Sequence, residues 1–217
     1  MGFRVLIKGD FACFTRPELK VERYTYPVPT CSALRGLLES VYWHPGLLYR
    51  IDRIKVLNEV KYLTVKRNEV KNRISSKNVL SEIRVKKGTL QPIDTKEVRT
   101  QRSTTMLKDV AYIVDFHFIT TNKIQADSNP AKFADIISRR LERGQNFKQP
   151  YLGCREMACS IERFEDQDLP SFYEGKGTMD LGVMLYDMEF GETIEPVYCH
   201  PIMQEGVIDF RKCEVLR

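Results

Sequence analysis

DVAYIVDFHFITT, residues 109–121, decides the fold: its run of Val, Tyr, Ile, Phe and Thr is that of a β-strand. After a polar link, Pro130 and Ala131 open a helix, KFADIISRRLERG, with Phe133, Ile136, Ile137 and Leu141 on one face and Gly144 as its stop. Towards the N-terminus, Phe3–Lys8 sets Val5, Leu6 and Ile7 between polar neighbours and reads as a first strand. Thr15–Pro29 is loop-like, rich in Pro and charge, and carries Tyr24 and Tyr26. Thr30 is placed to cap CSALRGLLESVYW, where Ala33, Leu34, Leu37, Leu38, Val41 and Tyr42 recur at helical spacing. Pro45-Gly46 stops that helix near Trp43–His44.

Leu47–Tyr62 reads as one long strand, alternating apolar and charged from Tyr49 onward, while 63–106 is polar and basic and reads as a projecting hairpin. With a strand from LGCREMACSIERF, the order becomes β-α-β-β-α-β, the ferredoxin-like arrangement of an α+β fold. A Gly-rich turn, YEGKGTMD, precedes strands expected at Leu181–Phe190, Val197–Gln204 and Gly206–Leu216, forming a small C-terminal antiparallel sheet. The expected division is therefore 1–160, with a basic insertion at about 63–106, and a β-sheet extension at 161–217.

The composition, 42% apolar and 10% aromatic, is that of a globular chain with a core. No run of 18 apolar residues exists, and MGFRVLIKGD lacks the pattern of a signal peptide, so a cytoplasmic protein is expected. None of the six cysteines is spaced as CxxC; buried reduced thiols fit better than zinc or disulfides, and no metal or cofactor is expected. The EGKG turn lacks GxxxxGK[ST], so no nucleoside triphosphate site is read. Charge is uneven: residues 50–108 hold 16 Lys/Arg against 6 Asp/Glu, and residues 160–217 hold 5 against 13. Such a basic segment suits a polyanion, although a solvated charged face would look the same.

Three stretches carry a resemblance: GDFACFTRPELKVERYTYPVPTCSALRGLLESVYWHP (9–45), SRRLERGQNFKQPYLGCREM (138–157) and YEGKGTMDLGVMLYDM (173–188). In order and spacing they cover about half the chain and resemble the fifth family of CRISPR-associated proteins, type I-C (Dvulg) subtype, of the RAMP superfamily. The resemblance implies a ferredoxin-like (RRM-like) RAMP domain with a C-terminal β-sheet extension. It also implies metal-independent cleavage of CRISPR precursor RNA beside the repeat hairpin. The protein would then stay in the interference complex with its other subunits, holding the 5′ tag of the mature guide RNA.

Cleavage without a metal uses the RNA 2′-hydroxyl as nucleophile and needs groups to take its proton, stabilise the phosphorane and protonate the leaving oxygen. The resemblance points to Tyr42, in VYWHP, and Lys132, in NPAK. Relatives follow that Lys with His; here Phe133 stands, and Phe cannot transfer a proton. His44 could supply the imidazole, or be an ordinary turn histidine. Tyr42 and Lys132 could instead suffice, since a Lys desolvated beside cations can act as base. A third outcome is a chain that binds guide RNA and DNA without cutting. By spacing alone Tyr42 could equally be core; His117 reads as a core or sheet-face residue, and His200 lies in the acidic region.

Arg139, Arg140 and Arg143 in the last turns of the second helix, with Lys148 and Arg155 after it, are candidate phosphate contacts, Arg for its planar fork. The arm adds Lys66, Arg67, Lys71, Arg73, Arg84, Lys86 and Lys87 to clasp an RNA hairpin through its backbone. Tyr24 and Tyr26 either stack on unpaired bases or pack on the body. Phosphate attraction does not separate RNA from double-stranded DNA, which stays a further candidate partner.

Overall fold

A computed structural model describes all residues except 1, 20, 86–92, 122, 124–128, 166–167, 191–192 and 217. In chain order the elements are β1 (Gly2–Ala12), β2 (Arg23–Tyr24), α1 (Cys31–Val41), β3 (Leu47–Val56), β4 (Lys61–Val70), α2 (Ser76–Val85), β5 (Arg99–Thr120) and α3 (Pro130–Glu142). They continue with β6 (Ser160–Arg163), β7 (Thr178–Asp180), β8 (Met184–Phe190), β9 (Ile194–His200), β10 (Ile202–Gln204), β11 (Val207–Asp209), a 3-10 turn (Phe210–Lys212) and β12 (Glu214–Leu216). It is a mixed α and β architecture with mainly antiparallel sheets and few helices.

The central sheet runs β6-β1-β5-β3-β11-β10-β7, with β2 and β4 also paired to β5. β1 pairs with β5 from Gly2↔His117 to Ala12↔Leu107, and β3 pairs with β5 from Leu47↔Thr120 to Val56↔Tyr112. Leu34, Leu37, Leu38 and Val41 of α1 join Phe133, Ile137 and Leu141 of α3 in one core with Val5, Ile7, Val114 and Phe116. Both helices therefore cover the same face. On the other face Leu6, Leu57, Ala111 and Ile113 form a second cluster, with Phe164 and Leu169 packed on it. Among the described residues no helix is long and apolar enough to cross a membrane.

Several boundaries differ from the sequence reading. Leu47–Tyr62 is two strands, because the backbone at the break is claimed by other segments. Val56 N–H donates to Gly206 O (2.8 Å), Ser171 Oγ donates to Val56 O (2.6 Å) and Leu57 N–H donates to Ala111 O (3.0 Å). The 109–121 strand begins earlier, at Arg99: its lower half pairs with β4, from Lys61↔Lys108 to Val70↔Arg99, and Asp109, at φ 53°, joins the halves. That lower hairpin is the basic arm, and it carries α2, a helix absent from the sequence reading.

Val197–Gln204 divides at Pro201, which has no N–H for a ladder, so β9 and β10 enter different sheets. Gly206–Leu216 divides likewise into β11, the 3-10 turn and β12. Hence only β8, β9 and β12 form the small separate sheet, while β7, β10 and β11 extend the central one.

Candidate nucleic-acid cleavage site

Helix α1 starts where Thr30 accepts the Ala33 N–H and ends one residue before Tyr42. Tyr42 is its C-cap, extended at φ −149° and ψ 124°, so its side chain leaves the line of Leu34 and Leu38. Two tertiary donors take carbonyls at this terminus: Arg140 Nη1 reaches Val41 O at 2.5 Å, and the buried Tyr49 hydroxyl reaches Tyr42 O at 2.8 Å. The Tyr42 ring, half-buried, lies 6.2 Å from that of Phe133, with the Arg140 guanidinium 5.2 Å from its centroid on another side. Partial burial pushes the phenol above its ordinary pKa, against the opposing pull of Arg140, so at neutral pH it keeps its proton.

The His44 ring packs on that of Phe133 at 4.8 Å, tilted by 45°, and its Nδ1 accepts the Gly46 N–H at 3.0 Å. A neutral ring in that bond carries its proton on Nε2, which makes it a hydrogen-bond donor there. Phe133, 1% exposed, touches Tyr42, His44 and Phe118 and is a core residue. Lys132, beside it, is exposed in the first turn of α3, where Asn129 accepts its backbone N–H at 2.8 Å. The fold thus gathers Tyr42, His44 and Phe133 in direct contact, with Lys132 as Phe133's neighbour.

Arg139 is exposed on the last turn of α3 and Arg143 is exposed as its C-cap, whereas Arg140 lies against the Tyr42 ring. Exposed Lys148 shares this end of the molecule, because Phe147 and Lys148 N–H groups both donate to Ser40 O of α1. Other candidates sit at the arm or in the loop beside it. Lys66 is exposed on β4, and Arg67 is held by Glu156 at 2.6 Å, which also takes Arg23 at 3.0 Å. Arg155 is exposed in the loop that supplies Glu156. Lys86 and Lys87 lie outside the described residues.

Tyr24 is 41% exposed and stacks at 6.3 Å, planes inclined by 28°, with Tyr62, which is 49% exposed. Tyr26 is a correction: at 0% exposure, with Arg16 over its ring and its hydroxyl accepting the Leu185 N–H, it is core and offers no stacking face. Loop composition concealed this, since burial depends on β8 arriving from far along the chain.

His117 is a sheet-face residue tied to both Asp52 carboxylate oxygens at 3.0 Å, and His200 is tied to Asp180 at 2.7 Å. All six cysteines are free thiols, and Cys13, Cys31, Cys159 and Cys199 are buried. The sequence reading had no signal for Arg140 holding Tyr42 or for Tyr49 closing the helix end, because both contacts join residues on different elements.

Residues 3–211 match the family described as CRISPR-associated protein (Cas_Cas5). The chain is 38% identical over 209 residues to the CRISPR pre-crRNA endoribonuclease Cas5d of Mannheimia succiniciproducens, covering 95% of this chain and 93% of that one. It is 39% identical over 189 residues to the CRISPR pre-crRNA endoribonuclease Cas5d of Thermus thermophilus, covering 87% and 74%. Among solved structures it is similar to a functionally uncharacterized protein from Streptococcus mutans, with TM-score 0.71, 25% identity and coverage of 100% and 97%. It is also similar to a crystal structure of a CRISPR-associated protein, with TM-score 0.72, 24% identity and the same coverage.

Proposed function

This chain belongs to the Cas5d family of CRISPR-associated proteins, and from that membership we propose that it is a metal-independent endoribonuclease. It cuts CRISPR precursor RNA beside the repeat hairpin, then stays in the type I-C interference complex holding the 5′ tag. The observation that carries the reading is the packing of Tyr42 and His44 together on Phe133, one residue after Lys132. The neutral phenol of Tyr42 gives its proton to the leaving 5′-oxygen, the proton of the attacking 2′-hydroxyl passes to water, and the exposed Lys132 ammonium stabilises the charge of the phosphorane. The Nε2–H of His44 donates to a phosphorane oxygen, a stabilising role rather than the transfer role of an imidazole at position 133. Exposed Arg139, Arg143 and Lys148 draw the strand to this end, while Lys66, Arg155 and the arm engage the hairpin backbone.

Residues 1–160, carried to Arg163 to complete β6, are read as the ferredoxin-like unit. Support comes from the order β6-β1-β5-β3, with α1 and α3 on one face, once β4 and α2 are set aside as an insertion. The rest is the C-terminal extension.

The test incubates the protein with its repeat RNA in EDTA, beside the same RNA carrying a 2′-deoxy scissile nucleotide. The expected result is cleavage of the unmodified RNA alone, leaving a 2′,3′-cyclic phosphate. Tyr42→Phe, Lys132→Ala and His44→Ala are each expected to slow cleavage about 10²-fold or more while RNA affinity holds. The apolar Phe133 favours a second reading, a binding subunit that caps guide RNA without cutting it. Tight binding with neither RNA cut would establish that one.

A further inference from the structure

Far from Tyr42, where β2 and β4 flank the lower half of β5, side chains gather that the cleavage chemistry does not use. Tyr24 sits opposite Thr105, and Thr64 on β4 is also opposite Thr105, with the two hydroxyls 2.9 Å apart. Tyr62, two residues before Thr64, shares their face, so the two phenols stack 6.3 Å apart with their planes inclined by 28°, both open to solvent. Behind them lies Arg16. Its guanidinium is 4.7 Å from the centroid of Tyr26 and 5.8 Å from that of Tyr24. Its Nε is buried without a hydrogen-bond partner, and no carboxylate pairs with it among the described residues.

Nearby cations differ: Arg23 and Arg67 share the carboxylate of Glu156, and Arg102 is paired with Glu69. An arginine fixed on aromatic faces and left without an anion is a phosphate donor set in advance, since its fork needs little ordering on binding. Two exposed aromatic rings beside it supply what a nucleobase stacks on, at no cost in sequence selectivity.

We infer that Arg16, Tyr24 and Tyr62 form a nucleotide subsite, one backbone phosphate lying on the guanidinium and one unpaired base on the phenol platform. The inference rests on the RNA-binding reading and adds where the strand lies. Thr105 and Phe118, the latter packed on Phe133, are separated by roughly 40 Å of β5 at about 3.3 Å per residue. The base held here is therefore several nucleotides from the bond that is cut, and the subsite measures length along the RNA.

The experiment uses the full chain and a repeat RNA hairpin with its single-stranded flanks, carrying 2-aminopurine at one unpaired position at a time. Wild-type protein is expected to alter the fluorescence strongly at one position distant from the scissile bond. Tyr62→Ala and Arg16→Ala are each expected to weaken Kd by about fivefold or more and to abolish that signal. Tyr62→Phe, which keeps the ring, should retain both, and circular dichroism of each variant reports whether it is folded. If folded Tyr62→Ala and Arg16→Ala bind as tightly as wild type with the signal intact, the subsite is overturned while RNA binding stands. If the wild-type protein does not bind the RNA, both readings fall.

Discussion

Tyr42 depends on one neighbour more than on any other. Arg140 ties down the last carbonyl of α1 and lies against the phenol ring, a cation–π contact of about 0.5–2 kcal/mol. Arg140→Ala frees both, and displacement of a reacting group by about 1 Å can cost about 10²-fold in rate. The expected outcome is slower single-turnover cleavage with RNA affinity reduced far less. A pH profile separates this positioning role from a general loss of structure. The Arg140 cation favours the phenolate and so lowers the Tyr42 pKa; its removal should move the alkaline limb of the rate upward. An unmoved limb would detach Arg140 from Tyr42. The sequence offered Arg140 only as one of three helix arginines. Which of them turns inward depends on α1 packing against α3.

Among the elements, α3 matters most, because its first turn carries Lys132 and the core residue Phe133. Its start is fixed by Asn129, whose side chain accepts the Lys132 N–H, with Pro130 supplying a preset φ. Asn129→Ala should cost about 1 kcal/mol of stability, measured by urea denaturation, and should slow cleavage by loosening the turn that holds Lys132. Stability falling with the rate unchanged would place Lys132 outside the reaction. Helices α1 and α3, unlike α2, were legible in the sequence to within two residues at either end, through spacing, cap and stop signals. The strands were less so. Leu47 to Tyr62 read as one strand from its largely alternating apolar and charged residues, yet the ladder breaks where Gly206, Ser171 and Ala111 bond to residues 56 and 57.

At the scale of the molecule, charge and shape act together. Of the 16 Lys/Arg between residues 50 and 108, Lys61, Lys66, Arg67, Arg99 and Arg102 lie on the two strands of the arm, and of the acidic residues of 160–217, Asp180, Asp187, Glu189, Glu195, Asp209 and Glu214 lie on β7 to β12. If about six cations meet phosphates of one strand, log K should fall with log salt at a slope near −4, from about 0.7 per contact. A titration of RNA affinity against potassium chloride checks this, and a slope near zero would remove the arm from the interface. Neutralising Lys66 should make the slope shallower. Neutralising Arg67, already paired with Glu156, should change it less.

What the sequence settled by itself was whatever is written locally: two amphipathic helices with their caps, the presence of a strand within 109–121, the basic and acidic blocks, and enough matching segments to reveal the family. Only the tertiary structure decided that Tyr42 turns out of its helix onto Phe133, that Tyr26 is core while Tyr24 and Tyr62 face outward, and that Pro201 hands the chain from one sheet to the other. Helical periodicity and capping are properties of neighbours within a turn. Ladder breaks, ring contacts and burial are set by partners scores of residues away, whose arrival no short stretch of chain encodes.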